Sequence, residues 1–286
     1  MTRLIGSELF KLRERGMTWV LLYVLAGIFI ILYLLLYAVS RLAVPPPGQG
    51  GGIGNIENLL GLPVAVPFSL AMLASFGTVL AVILIASSTG NEYGWRTMRI
   101  ALISSESRFK FLAAKLVSAM IIIAIGMIAG VVIGFIMSLI TTAIGGYAFK
   151  FDFATGQYVW NQFLQLVRTF YIVMLYSMLG FLFAVVGRSA MAGIAVGLGV
   201  FFLEPVITAL MRLAGGWVAN VPDYLLAANV NAIRSLNDLP GGVGGGFGNG
   251  TMQLPPVTQA YWVIAGYIVV FSIISFVIFL RRDVTG

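Results

Sequence analysis

Asn91-Glu92-Tyr93-Gly94-Trp95-Arg96-Thr97-Met98-Arg99 brings a carboxylate, two guanidinium groups, a hydroxyl, a phenol and an indole into nine residues. Residues 58–91 on one side and 116–149 on the other are each runs of 34 residues without a charge. Those side chains suit recognition better than bond-making. Buried aromatic and arginine anchors dominate binding energy where two surfaces meet. Glu92, Tyr93, Trp95, Thr97, Met98 and Arg99 are therefore candidates for gripping a cleft on a partner in the water phase. The plainer alternative is a basic loop that only fixes topology.

Two further sets stand inside apolar surroundings. Arg168 and Glu204 are the most deeply placed charges. Counted from Arg188 at 1.5 Å per residue, they lie about 30 Å and about 24 Å along their helices, at similar depth. A charge left alone in hydrocarbon is costly, so these two are expected to pair, directly or through water, towards the outer leaflet. Pro205, next to Glu204, is expected to kink its helix. Gly126, Gly130 and Gly134 recur every fourth residue, and Gly193 and Gly197 repeat the spacing. Such faces let another backbone approach closely.

Other chemistries are removed by composition. The chain has no cysteine and no histidine. Thiol chemistry, His metal ligands, HExxH sites and Ser-His nucleophile pairs are absent with them. Asp152, Asp223, Asp238 and Asp283 all fall in predicted loops, which argues against an intramembrane aspartyl dyad. No GxxxxGK[ST] phosphate loop occurs, so the chain is read as a non-enzyme with no cofactor, metal or nucleotide of its own.

The elements that position these residues are membrane helices. Of 286 residues, 60% are hydrophobic and 9% charged, and mean hydropathy is +1.01. Soluble domains carry about 25% charged residues. A span needs roughly 20 apolar residues, which predicts one transmembrane domain over 1–286. Its six spans are placed near 17–39, 66–88, 113–141, 164–187, 190–211 and 258–280. The fold class is all-α. The first apolar run is too long for a signal-peptide core and is read as an uncleaved span.

Six spans put both termini on one side. That side carries 12 of the 17 Lys and Arg residues and the other carries 5. Basic short loops mark the cytoplasm, so both termini and the 91–112 loop are expected inside. The net charge of +7 is read as topology and attraction to anionic membrane lipid, not as nucleic-acid binding.

Ile5, Leu9 and Leu12 share one face of residues 2–15, which predicts an amphipathic interfacial helix before the first span. Residues 43–54 and 238–250 are Gly- and Pro-rich outer loops. Residues 223–236 are too short and polar to span. They are expected at the outer interface or as a re-entrant helix held within the protein, with Asp223 as N-cap.

Glu92-Tyr93, Thr97-Met98-Arg99, Leu102, Ser107-Arg108 and Lys115 together resemble the first cytoplasmic loop of ABC transporter permeases of the type-2 exporter class. Glu8-Leu9, Lys11-Leu12 and Thr18-Trp19 are similar to the N-terminal surface helix of that class. Glu204-Pro205 is similar to a pair in bacitracin-export-like permeases. Arg96 stands where the class commonly has Gly. The resemblance implies an ATP-driven exporter subunit in a bacterial inner (plasma) membrane, with residues 92–103 as a coupling helix. It also implies a separate cytoplasmic ABC ATPase holding ATP and Mg, and a second permease copy or a homologous permease. The alternative is a secondary transporter or channel that needs no ATPase. The substrate is unread, though outer-leaflet polar residues suit an amphipathic or lipid-like cargo.

Overall fold

A computed structural model describes residues 1–42, 60–94, 107–145, 152–237 and 254–281. The protein is an all-α polytopic membrane protein, and six of its helices are long and apolar enough to cross a bilayer. Helix α1 is Thr2–Glu14 and α2, the first span, is Gly16–Leu42. The second span runs through α3 (Leu62–Met72), a π-helical turn (Leu73–Gly77) and α4 (Thr78–Gly94). The third, fourth and fifth spans are α5 (Arg108–Gly145), α6 (Gly156–Gly187) and α7 (Ala190–Ala214). A 3₁₀ segment (Gly216–Tyr224), the short α8 (Leu226–Arg234) and the last span α9 (Val257–Arg281) complete the described chain.

All six expected spans are present, each longer than its apolar centre. Helical hydrogen bonding continues into polar flanks, and Pro63 sits at the start of α3, where its missing N–H costs nothing. The expected kink at Pro205 does not end α7, which continues to Ala214. The readings of 43–54 and 238–250 as outer loops lie outside the described residues.

The second and fourth spans form the middle of the bundle. Their most apolar stretches are 56% and 67% buried, against 17–28% in the other four. Small residues make this core tight. A Cβ on Gly193 would lie 2.6 Å from the Gly180 carbonyl oxygen, and one on Gly197 would lie 2.6 Å from Val82. A Cβ on Gly90 would come within 2.0 Å of the Ala190 backbone nitrogen. Spans two, four and five are thus locked at near backbone contact. The link between four and five is two residues. Arg188 takes a left-handed conformation (φ 50°) and the Ser189 hydroxyl accepts from the Met191 N–H.

The third-span glycines divide. Gly130 and Gly134 face neighbours: a Cβ on Gly130 would meet Leu73 at 2.7 Å, and one on Gly134 would meet the Ser69 hydroxyl at 1.9 Å. Gly126 does not, since nothing lies within 4 Å of its missing Cβ. The expectation of a packed glycine seam holds for two residues and fails for the third. Gly126 instead lines an open apolar groove of about 560 Å³, with Leu22, Leu25, Leu80 and Met127.

Helix α8 is packed inside the bundle. Seven of its nine residues are buried, and Arg234 at its end reaches Ala74 in the π-turn. Ala74 is 12 residues inside the second span, about 18 Å from its start. Among the two positions left open by the sequence, the one within the protein is observed.

Candidate functional site

The end of the bundle that holds the N-terminus contains a buried charge cluster. Helix α1 lies against the third span, and its apolar face turns Leu12 inward with Glu8 beside it. Lys115, eight residues into α5, is 3% exposed and donates to both carboxylates. Its Nζ is 3.2 Å from Glu8 Oε2 and 2.7 Å from Glu92 Oε1. Arg15 adds a second cation at 3.0 Å from Glu92 and also donates to the Ser88 carbonyl. Lys11 closes the set on Glu8 at 2.5 Å.

Local contacts hold α1 at the angle this requires. Arg15 leaves the helix in an extended conformation. Just beyond it, the Thr18 hydroxyl donates to the Leu12 carbonyl at 2.6 Å and the Trp19 indole N–H to the Arg13 carbonyl at 2.9 Å. The Ser118 hydroxyl reaches the Ile5 carbonyl from the third span. Burial by itself would raise the Glu8 carboxyl. The ammonium groups of Lys115 and Lys11 outweigh it and hold the group below its ordinary 4.5.

This geometry corrects one part of the sequence reading. Glu92 is 3% exposed and turned inward to Lys115 and Arg15. It is not a surface group that could grip a partner. Tyr93 is half-buried against the core. Trp95, Thr97, Met98 and Arg99 lie outside the described residues. The cluster does bracket them: Glu92 precedes residues 95–106 and Lys115 follows shortly after.

Polar groups also gather at the other end, around α8. Glu204 and Arg168 do not form the expected direct ion pair; each takes a different end of α8. Glu204 accepts from the backbone N–H of Ala227 at 3.1 Å, and from that of Leu226. Arg168 donates to the Leu236 carbonyl at 3.0 Å, in the turn that follows α8. Both contacts match the helix dipole, with an anion at the N-terminus and a cation at the C-terminus. The reason is that every backbone N–H and C=O at the ends of a buried helix needs a partner. Asp223, the expected N-cap, instead pairs with Arg212 at 2.9 Å, while its carbonyl accepts from Asn229.

Sequence reasoning left out Arg234, Gln165, Thr169 and Tyr176. Arg234 donates to the Ala74 carbonyl at 2.5 Å. Gln165 and Thr169 are buried on the fourth span. The signal was available: Gln162, Gln165 and Thr169 recur at i, i+3 and i+7 in an apolar helix, a polar stripe facing inward. Lys115 appeared only as a matching residue of the loop resemblance, with no role given. Among the described residues no group of three or more Asp or Glu could hold a metal ion.

A family model described as "Protein of unknown function (DUF2705)" matches residues 52–285, and the chain belongs to that family. It is also similar to "Uncharacterized protein YhcI" of Bacillus subtilis (strain 168), with 21% identity over 213 residues. That match takes in 72% of this chain and 64% of the relative's length.

Proposed function

We propose that this DUF2705 member is the membrane subunit of an ATP-driven exporter. It works with a separate cytoplasmic ABC ATPase and moves an amphipathic or lipid-like substrate outward. Both termini face the cytoplasm of a plasma membrane, as the basic residues of their side favour. A second copy or a homologous permease completes the transporter.

The observation that carries this reading is the cluster of Glu8, Glu92 and Lys115. They come from two of the three stretches whose residues resemble type-2 exporter permeases, the N-terminal helix and the first cytoplasmic loop, and in sequence Glu92 and Lys115 flank segment 95–106. A force applied to that segment would reach α1, the second span and the third span together. Buried ion pairs of this kind are costly to break one partner at a time, so the three elements move as one body. The second span carries the push to the middle of the bundle.

A second reading is favoured by one feature. The second span is interrupted by a π-turn that meets an arginine from the buried helix α8. Secondary transporters place interrupted helices and charges at their binding sites.

Co-purification separates the two. The exporter reading expects a nucleotide-binding protein to accompany the full-length chain from its native membrane. It also expects Thr97→Glu with Arg99→Glu to abolish that association while insertion is kept. Transport by the chain alone in vesicles without ATP would favour the second reading and end the first.

A further inference from the structure

We infer that the turn closing α8, together with the facing side of the fourth span, binds an anionic group, a phosphate or carboxylate, on a molecule that also carries hydrogen-bond donors. That this molecule is the exported cargo rests on the exporter reading; that an anion binds here does not.

Two arginines meet at the turn that closes α8, Arg168 through its side chain and Arg234 through its backbone. Arg234 ends α8, and its carbonyl accepts from the Asn237 N–H at 3.0 Å. Arg168 reaches the same turn from the fourth span, through the Leu236 carbonyl. Arg234 spends one N–H on Ala74, while its Nε is buried with no hydrogen-bond partner. Among the described residues no carboxylate lies within 4.0 Å of either group. Glu204 is engaged with the backbone N–H groups at the opposite end of this nine-residue helix. Asp223 is taken by Arg212. Backbone carbonyls at a helix C-terminus supply only partial negative charge. Two full positive charges inside a bundle call for more.

The side chains around them are unpaired in a way that fits such a ligand. Gln165 is 2% exposed, and both its amide nitrogen and its amide oxygen lack partners. Thr169 is fully buried, and its hydroxyl lacks one too. Both flank Arg168 on the same helix, three residues before and one after. Gln162 Oε1 and Asn237 Oδ1 are buried and unpartnered as well. Buried polar atoms are almost always hydrogen-bonded, so this concentration marks a place built for a polar guest. Arg168, Arg234, Gln165 Nε2 and the Thr169 hydroxyl donate, as an anion requires. Gln162, Gln165 and Asn237 offer acceptor oxygens, which a purely anionic ligand would leave empty. Hydroxyl or amine groups on the same ligand would satisfy them.

The test is thermal unfolding of the purified full chain in a neutral detergent, titrated with three probes. Lysophosphatidylglycerol has a phosphate and hydroxyl donors. Lysophosphatidylcholine has the same phosphate and glycerol hydroxyl, but its headgroup has no donors and adds a compensating cation. Inorganic phosphate has no acyl chain. A saturable rise in Tm with lysophosphatidylglycerol and little with lysophosphatidylcholine is expected. The same rise with inorganic phosphate would support the site with a free anion as its source. Arg168→Gln, and separately Gln165→Leu with Thr169→Val, should each weaken the effect about 10- to 100-fold. Arg13→Gln, at the other end of the molecule, should leave it unchanged. The inference is overturned by equal responses in wild type and Arg168→Gln, or by no anion-dependent response. It also fails if Asp238→Asn and Arg234→Gln destabilise equally and their combination costs no more than either. That result would make the next residue in the sequence the counter-charge. No arm uses ATP, so failure here leaves the exporter reading untouched, and the reverse.

Discussion

The two ends of the bundle bury charge in different ways. At the N-terminal end, Lys115 sits between Glu8 and Glu92, and full charges meet full charges. At the α8 end, Glu204 meets backbone N–H groups, and Arg168 and Arg234 meet backbone carbonyls. The first arrangement joins three helices through direct ion pairs between side chains. The second depends on a nine-residue helix being in place, because its ends supply the partners. The first is a joint between helices, and the second is a short buried helix held at both ends.

The strongest test of the joint is Lys115→Met. It removes the buried cation shared by Glu8 and Glu92 and leaves them only the more exposed Lys11 and Arg15, and removing one partner from a buried ion pair costs about 3–5 kcal/mol. Expression should collapse, or Tm should fall sharply in detergent. Glu8→Gln leaves Lys115 with Glu92 and should cost less. Equal, small effects from both would make the cluster solvent-like and erase the contrast between the two ends.

Packing along the third span gives the next effect. Gly130→Leu must displace Leu73 and should cost about 1–3 kcal/mol, as overpacking does. Gly126→Ala faces open space and gains helix propensity, so it should stabilise by up to about 1 kcal/mol. Differential scanning measurements on the two variants should give opposite signs. Matching losses would restore the continuous glycine seam.

The α8 end is tested by a double-mutant cycle. Arg168 and Glu204 do not touch, so Arg168→Ala and Glu204→Gln should add to within about 0.5 kcal/mol. Coupling well above that would mean they meet after all, and the two ends would then be built alike.

The smallest expected effect is reversible. Glu8 is held below its ordinary 4.5 in the folded protein. A depressed carboxylate contributes its full stability above 4.5 and loses it as pH falls through the lower, folded value. Tm measured downward from neutral pH should therefore drop below about pH 4.5. Glu8→Gln should flatten that part of the curve, and an unchanged slope would remove Glu8 from the joint's pH response.

How far the sequence reached depends on the kind of question. Long uncharged runs have one low-energy solution in a bilayer, so the six spans and the all-α class were legible from hydropathy alone. Helix α1 was legible from the spacing of Ile5, Leu9 and Leu12. Its burial of Glu8 was not, because an acid on an amphipathic helix faces water unless another element brings a cation. Identical four-residue spacing could not tell Gly126 from Gly130, since a missing Cβ matters only where a neighbour arrives. Matched depth suggested that Arg168 and Glu204 pair. The tertiary structure gave each to one end of α8, because buried helix ends need partners as much as buried charges do. Length and polarity along one chain thus determined the spans and the set of charges inside them. Which group each charge meets was decided only by packing, because hydrogen bonds and ion pairs act over about 3–4 Å between elements far apart in sequence.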